Sequence, residues 1–176
     1  SPPSGWQDDP ANNRSYLADN SNTKYPAFDA AKYATKYTRQ QAIDMIVAEV
    51  VGYYEPYNVL VTIDRPSAGD YTMMMVGAEN EIWNSSSSNG VVGIAPMDCG
   101  NQQGGNIGYA FAKSLEPQSN WETKEFALSS IATTIAHEAG HSFSLEHVDD
   151  EQDIMYPAVT ETVVGFQGTS NLTDGN

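Results

Sequence analysis

The stretch His137-Glu138-Ala139-Gly140-His141-Ser142-Phe143-Ser144-Leu145-Glu146-His147 contains every histidine of this 176-residue chain. On a helix, positions four apart differ by only about 40° and rise by about 6 Å. His137 and His141 therefore project side by side, roughly 200° around from Ile135 and Ala139, and can share one zinc ion. His147 lies too far around to join them on a straight helix. A sharp break near Ser144 lets its imidazole swing back as a third ligand. Three neutral nitrogens leave one coordination position for water, the pattern of a catalytic rather than a closed structural zinc. Glu138, next to the first ligand, is then placed to take a proton from that water and pass it to a leaving amine. No nucleophilic side chain is required, and neither Cys99 nor any serine has a further histidine to activate it.

Working backward, Leu128, Ile131, Ile135 and Ala139 recur at steps of three or four, which places the histidines on an amphipathic helix over about 123–143. An earlier helix begins after Thr38. Thr38 and Gln41 have the spacing of a capping box, and Ile43, Ile46, Val47, Val50 and Tyr54 repeat at helical intervals until Pro56. Between the helices the pattern is extended. Val59, Val61 and Ile63 alternate with Leu60 and Thr62; Arg65 to Asp70 forms a turn; Tyr71 to Val76 is a second strand, with Met73, Met74 and Met75 as core filling. Val91 to Ala95 and Ile107 to Ala112 read as further strands, after a serine-rich loop over 84–90. Residues 1–37 are polar and turn-rich, with a short strand candidate over 15–18. Trp6, Trp83 and Trp121 read as packing residues. The order of helix, strands and helix predicts an α+β (α/β-like) domain, a mixed sheet carrying two main helices.

Composition narrows the function. Acidic residues number 23 against 8 basic ones, a net charge of −15. Such a surface repels nucleic acid and anionic lipid, which removes both as partners. No apolar run is long enough to span a membrane. Cys99 is the single cysteine, so no internal disulfide forms. The expected molecule is a secreted, monomeric, single domain over 1–176.

The histidine stretch resembles the long zinc motif of the metzincin metalloendopeptidases, His-Glu-x-x-His-x-x-Gly-x-x-His. Asp153-Ile154-Met155-Tyr156-Pro157, just downstream, resembles their Met-turn, and its Met-Tyr-Pro form is most similar to the matrixin (matrix metalloproteinase-like) branch. The resemblance implies a twisted mixed sheet and a zinc cleft between an upper lobe of about 1–143 and a small lower lobe of about 144–176. It implies His137, His141 and His147 as zinc ligands, Glu138 as general base and acid, and Met155 as an apolar floor. Pro157, Ala158, Val159 and Thr160 would wall the pocket after the scissile bond, a pocket expected to be hydrophobic. The implied partner is a protein or peptide substrate added in extended form to a sheet edge, either Gly108 to Phe111 or Val91 to Ile94.

Three departures stand out. The family glycine at the helix exit is Ser144, for which a left-handed backbone costs about 1 kcal/mol. Val148 follows His147 without assigning a branch. No histidine is left over for the additional structural zinc of matrixins. Asp149, Asp150, Glu151 and Asp153 read as a solvated acidic loop, with Ca2+ as a candidate second cation. Two other functions fit the same residues: a non-catalytic binding module that keeps a zinc, and a zinc hydrolase whose third ligand is Glu161.

Overall fold

A computed structural model describes residues 7–17, 25–33, 36–77, 90–117, 123–168 and 171–173. Its first helix, α1, spans Arg39–Tyr54 and starts as the sequence dictates. The Thr38 hydroxyl accepts from the Gln41 N–H at 3.2 Å, and the Gln41 side chain accepts from the Thr38 N–H at 2.9 Å. Its buried face is Ala42, Ile46, Val50 and Tyr54, with Ile43 half-buried beside it. The buried positions repeat every four residues, which adds Ala42 to the expected stripe and leaves Ile43 and Val47 half-buried.

The sheet has three strands among the described residues: β1 (Tyr71–Gly77), β2 (Gly93–Ile94) and β3 (Gly105–Phe111). Their order is β1-β3-β2. β1 runs parallel to β3 in the register Tyr71 with Gly105 through Gly77 with Phe111, and β2 runs antiparallel, pairing Gly93 with Ala110 and Ile94 with Tyr109. The methionines of β1 divide between the two faces, as a period of two requires. Met73 and Met75 pack with Ile107, Tyr109 and Phe111, while Met74 packs against the helix side. Buried Asp8 ties the N-terminal segment to β3 by accepting from the Ile107 and Tyr16 N–H groups, each at 2.8 Å.

The second helix, α2, spans Lys124–Ser142 with Thr123 as its N-cap. It is covered by α1 and the sheet, so far more than one stripe is buried: Leu128, Ile131, Ala132 and Ala136 all lie in the core with Tyr33, Tyr54, Ile154 and Met155. The Tyr54 hydroxyl crosses to donate to the Ala136 carbonyl at 2.9 Å.

Several expected elements differ. Residues 59–63 form no strand, and Leu60 (90% exposed) and Ile63 (64%) face water. Their alternating pattern finds no partner among the described residues, and an extended segment without one makes no ladder bonds. Residues 15–17 bend instead of extending, because Asp8 captures the Tyr16 N–H. The strand expected over 91–95 shortens to Gly93–Ile94, and that expected over 107–112 becomes Gly105–Phe111, with Ala112 opening a short 3-10 turn. The three tryptophans and residues 84–89 lie outside the described residues.

Candidate metal centre

The end of α2 builds the site. His137 and His141 share one face a turn apart, with ring centroids 4.7 Å from each other. The helix then stops. Ser144 adopts φ 73°, the left-handed conformation that reverses the chain, and its N–H donates to the His141 carbonyl at 3.0 Å. Serine holds this backbone because its hydroxyl makes two bonds of 2.6 Å, donating to the Asp98 carbonyl and accepting from the Gly100 N–H. A glycine could make neither. Beyond the bend the chain returns, bringing the His147 ring to 5.1 Å from His137 and 4.9 Å from His141.

The three imidazoles converge, one ligand nitrogen from each lying within 4.8 Å of the others. Nδ1–H of His137 donates to the Ile154 carbonyl at 2.7 Å, and Nδ1–H of His141 donates to the Leu145 carbonyl at 2.8 Å. These bonds fix the tautomer, leaving a lone pair on each Nε2 aimed at the common point. Nε2 of His137 stands 3.2 Å from Nε2 of His147. Two nitrogens bound to one tetrahedral zinc at about 2.05 Å stand about 3.3 Å apart, so the spacing suits that ion. Burial lowers the pKa of all three imidazoles, that of His137 to about 4 with help from the neighbouring rings. Each shift favours the neutral imidazole, the form that binds a metal. Glu161 is exposed and outside this group.

A cleft of about 350 Å³ opens over the imidazoles. One wall is residues 90–95, including β2; another is Thr133, Thr134 and Glu138 of α2; the third is Tyr156, Pro157, Ala158 and Val159. Thr160 turns away, its hydroxyl donating to the Glu151 carbonyl at 2.7 Å. Glu138 is buried, and desolvation pushes its carboxyl up to about 8. Gly93 makes room for it: a Cβ there would stand 2.6 Å from Oε1 of Glu138. β3 has a strand on each side, so Gly108 to Phe111 is interior to the sheet, whereas residues 91–94 border the cleft.

Beside His137, whose ring meets the Ile154 carbonyl, lies the turn around Met155, which is 3% exposed. Its shape comes from Asp153, whose buried carboxylate accepts from the Met155 and Gln167 N–H groups, both at 2.7 Å. The acidic loop is likewise knitted into the backbone: Asp150 accepts from the Gln152 N–H at 3.0 Å and Asp149 from the Asn171 N–H at 3.2 Å.

The sequence profile of the matrixin family matches residues 72–171, more than half of the chain. The chain belongs to the matrixin family. Matrixins are zinc metalloendopeptidases, so zinc is the ion the family implies for the three histidines. The α+β architecture of two helices on a small mixed sheet accords with a matrixin catalytic domain. No curated protein and no solved structure matches the chain. None of the described helices is long and apolar enough to cross a membrane.

Sequence reasoning did not reach several groups that shape this matrixin site. The carbonyls of Ile154 and Leu145 carry no side-chain signature. Thr134 lies one turn before Glu138 on α2, but Gly93 becomes a neighbour of Glu138 only through the packing of β2 on α2. The turn at Asp153 was within reach, since an aspartate often accepts from the N–H two residues on.

Proposed function

We propose that this matrixin hydrolyses internal peptide bonds of extended protein segments, with His137, His141 and His147 holding a catalytic zinc and Glu138 serving as general base and then general acid. The observation that carries the reading is the convergence of three imidazoles in one cleft with a buried carboxyl group. Zinc held there would supply a lowered pKa for a water molecule and polarisation of the scissile carbonyl.

The remaining work falls to the protein. The chain entering the cleft adds to the edge at residues 91–94, where main-chain hydrogen bonds orient the scissile bond. Glu138 accepts a proton from the attacking water. Its elevated pKa suits that task, because a carboxyl near the working pH both takes and returns a proton readily. Beside a divalent cation it ionises more easily than burial alone permits. Glu138 then delivers the proton to the leaving amine nitrogen. Pro157, Ala158 and Val159 form an apolar wall for the side chain after the cut, and the turn around Met155 supports the His137 ring through the Ile154 carbonyl. The setting proposed is extracellular and the working unit a monomer.

Digestion of casein or gelatin tests this. Wild type should cleave and lose that activity to a strong chelator, whereas Glu138→Ala should be inert while carrying one zinc per chain. Undiminished cleavage by Glu138→Ala refutes the mechanism. Zinc-loaded wild type without any cleavage points instead to a binding module.

A further inference from the structure

His137 and His141 each have a carbonyl to hold Nδ1, but His147 does not: among the described residues nothing accepts from its Nδ1. Its ring must be aimed through its backbone. That backbone is held from both sides. On one side the Val148 N–H donates to the Met155 carbonyl at 3.1 Å. On the other, residues 171–173 run antiparallel, with Val148 bridged to Leu172. The Asp149 N–H donates to the Asn171 carbonyl and the Thr173 N–H to the His147 carbonyl, both at 3.0 Å. The Thr173 hydroxyl adds a second bond to that carbonyl at 3.3 Å. The Asp149 carboxylate completes the clasp, accepting from the Asn171 N–H at 3.2 Å and the Asn171 side-chain amide at 3.4 Å.

We infer that residues 171–173, engaged by Asp149, form a strap that positions the third imidazole. The inference rests on the zinc reading of the site above. His137 and His141 sit on a helix whose own hydrogen bonds fix them. His147 lies on irregular chain between two short segments, so removing one leaves its carbonyl and the Asp149 N–H free to rotate, and the ring with them. Groups that orient a metal ligand without touching the metal typically contribute 10–100-fold in affinity. Asp149 and residues 171–173 are positioning groups, because none touches substrate or the reacting atoms.

The test compares zinc affinity, by competition with a chromophoric chelator, in wild type, Asp149→Ala, Asp149→Asn and a chain ending at Gly168. The thermal midpoint of each metal-free protein and the d–d bands of each cobalt-loaded one are recorded alongside. Asp149→Ala and the shortened chain should bind zinc about tenfold more weakly or worse, while Asp149→Asn, which keeps an acceptor oxygen, should stay within about threefold of wild type. The cobalt bands should shift in the first two and not in the third. If the shortened chain does not fold, Asp149→Ala against Asp149→Asn decides alone. Variants that bind zinc as tightly as wild type, or that lose only metal-free stability, overturn the strap and leave the proposed function standing. A wild type that binds no zinc overturns both.

Discussion

Gly140 and Met155 are matched in shape. A Cβ on Gly140 would stand 2.6 Å from Sδ of Met155, well inside contact distance, so the absent side chain of one residue is the space filled by the sulfur of the other. The glycine lies on the turn of α2 between His137 and His141, and the methionine follows Ile154, whose carbonyl holds the His137 ring. Gly140→Ala should displace Met155 and, through Ile154, the His137 ring. Overpacking of this size costs about 1–3 kcal/mol. The expected result is a lower thermal midpoint together with weaker zinc binding; a midpoint and affinity equal to wild type would show that Met155 simply rotates aside.

Ser144 gives a two-way comparison. Ser144→Ala keeps the left-handed strain and removes both 2.6 Å bonds, whereas Ser144→Gly removes the strain as well. With about 1 kcal/mol for each bond and about 1 kcal/mol for the strain, alanine should destabilise by about 2 kcal/mol and glycine by about half as much. Urea denaturation of the three proteins measures the order. Glycine more stable than serine would mean that the two hydroxyl bonds together contribute less than the left-handed strain costs.

Glu138→Gln should stabilise the metal-free protein while abolishing cleavage. Burial raises the folded-state pKa of Glu138 to about 8 from an ordinary 4.5. A raised value means that its contribution is fully present below pH 4.5 and is lost as pH climbs toward 8. The glutamine variant has no charge to bury, so its advantage in thermal midpoint should be nil near pH 4, grow through pH 6 and level off above pH 8. A gap independent of pH would rule out the buried charge as its cause.

The imidazoles act in the opposite direction. His137 is lowered to about 4 from 6.5, so its stability contribution is complete above pH 6.5 and is lost as pH falls toward 4. Metal affinity declines across the same window, because only neutral imidazole binds. Zinc affinity, measured by competition with a fluorescent zinc indicator, should fall as pH drops from 6.5 to 4, with cleavage weakening alongside. An affinity independent of pH down to about 3.5 would contradict a three-imidazole site.

Salt should strengthen the fold. A net charge of −15 on 176 residues sets up self-repulsion across the surface. The Debye length shrinks from about 30 Å at 0.01 M to about 3 Å at 1 M salt. The thermal midpoint should therefore rise across that range and rise most steeply at its lower end; a fall would mean that attractive ion pairs dominate.

The parts of the site that follow from covalent order were open to reading in the sequence. Thr38 and Gln41 marked a helix start, Thr123 to Phe143 the second helix, and the spacing of His137, His141 and His147 set their shared location once a bend was granted at Ser144. What escaped depends on neighbours distant along the chain. The alternation over 59–63 is a property of side chains, whereas a strand also needs a partner for its backbone, and none lies beside those residues among the described ones. The pocket wall showed the same limit: Pro157, Ala158 and Val159 line the cleft, but Thr160 turns to the Glu151 carbonyl, a choice made by the fold of the loop. The interior position of β3, which leaves residues 91–94 as the border of the cleft, was likewise beyond any local pattern.

β2 ends the sheet with only Gly93 and Ile94 paired to β3, and its outer side has no neighbouring strand among the described residues. An open margin of backbone amides is an invitation to any extended polypeptide, a sister molecule included. The net negative charge provides a safeguard, since two like-charged copies approach poorly while a neutral or basic chain does not. Concentrated brine removes that protection, so the ionic conditions that favour folding should also be those in which the protein begins to stick to itself.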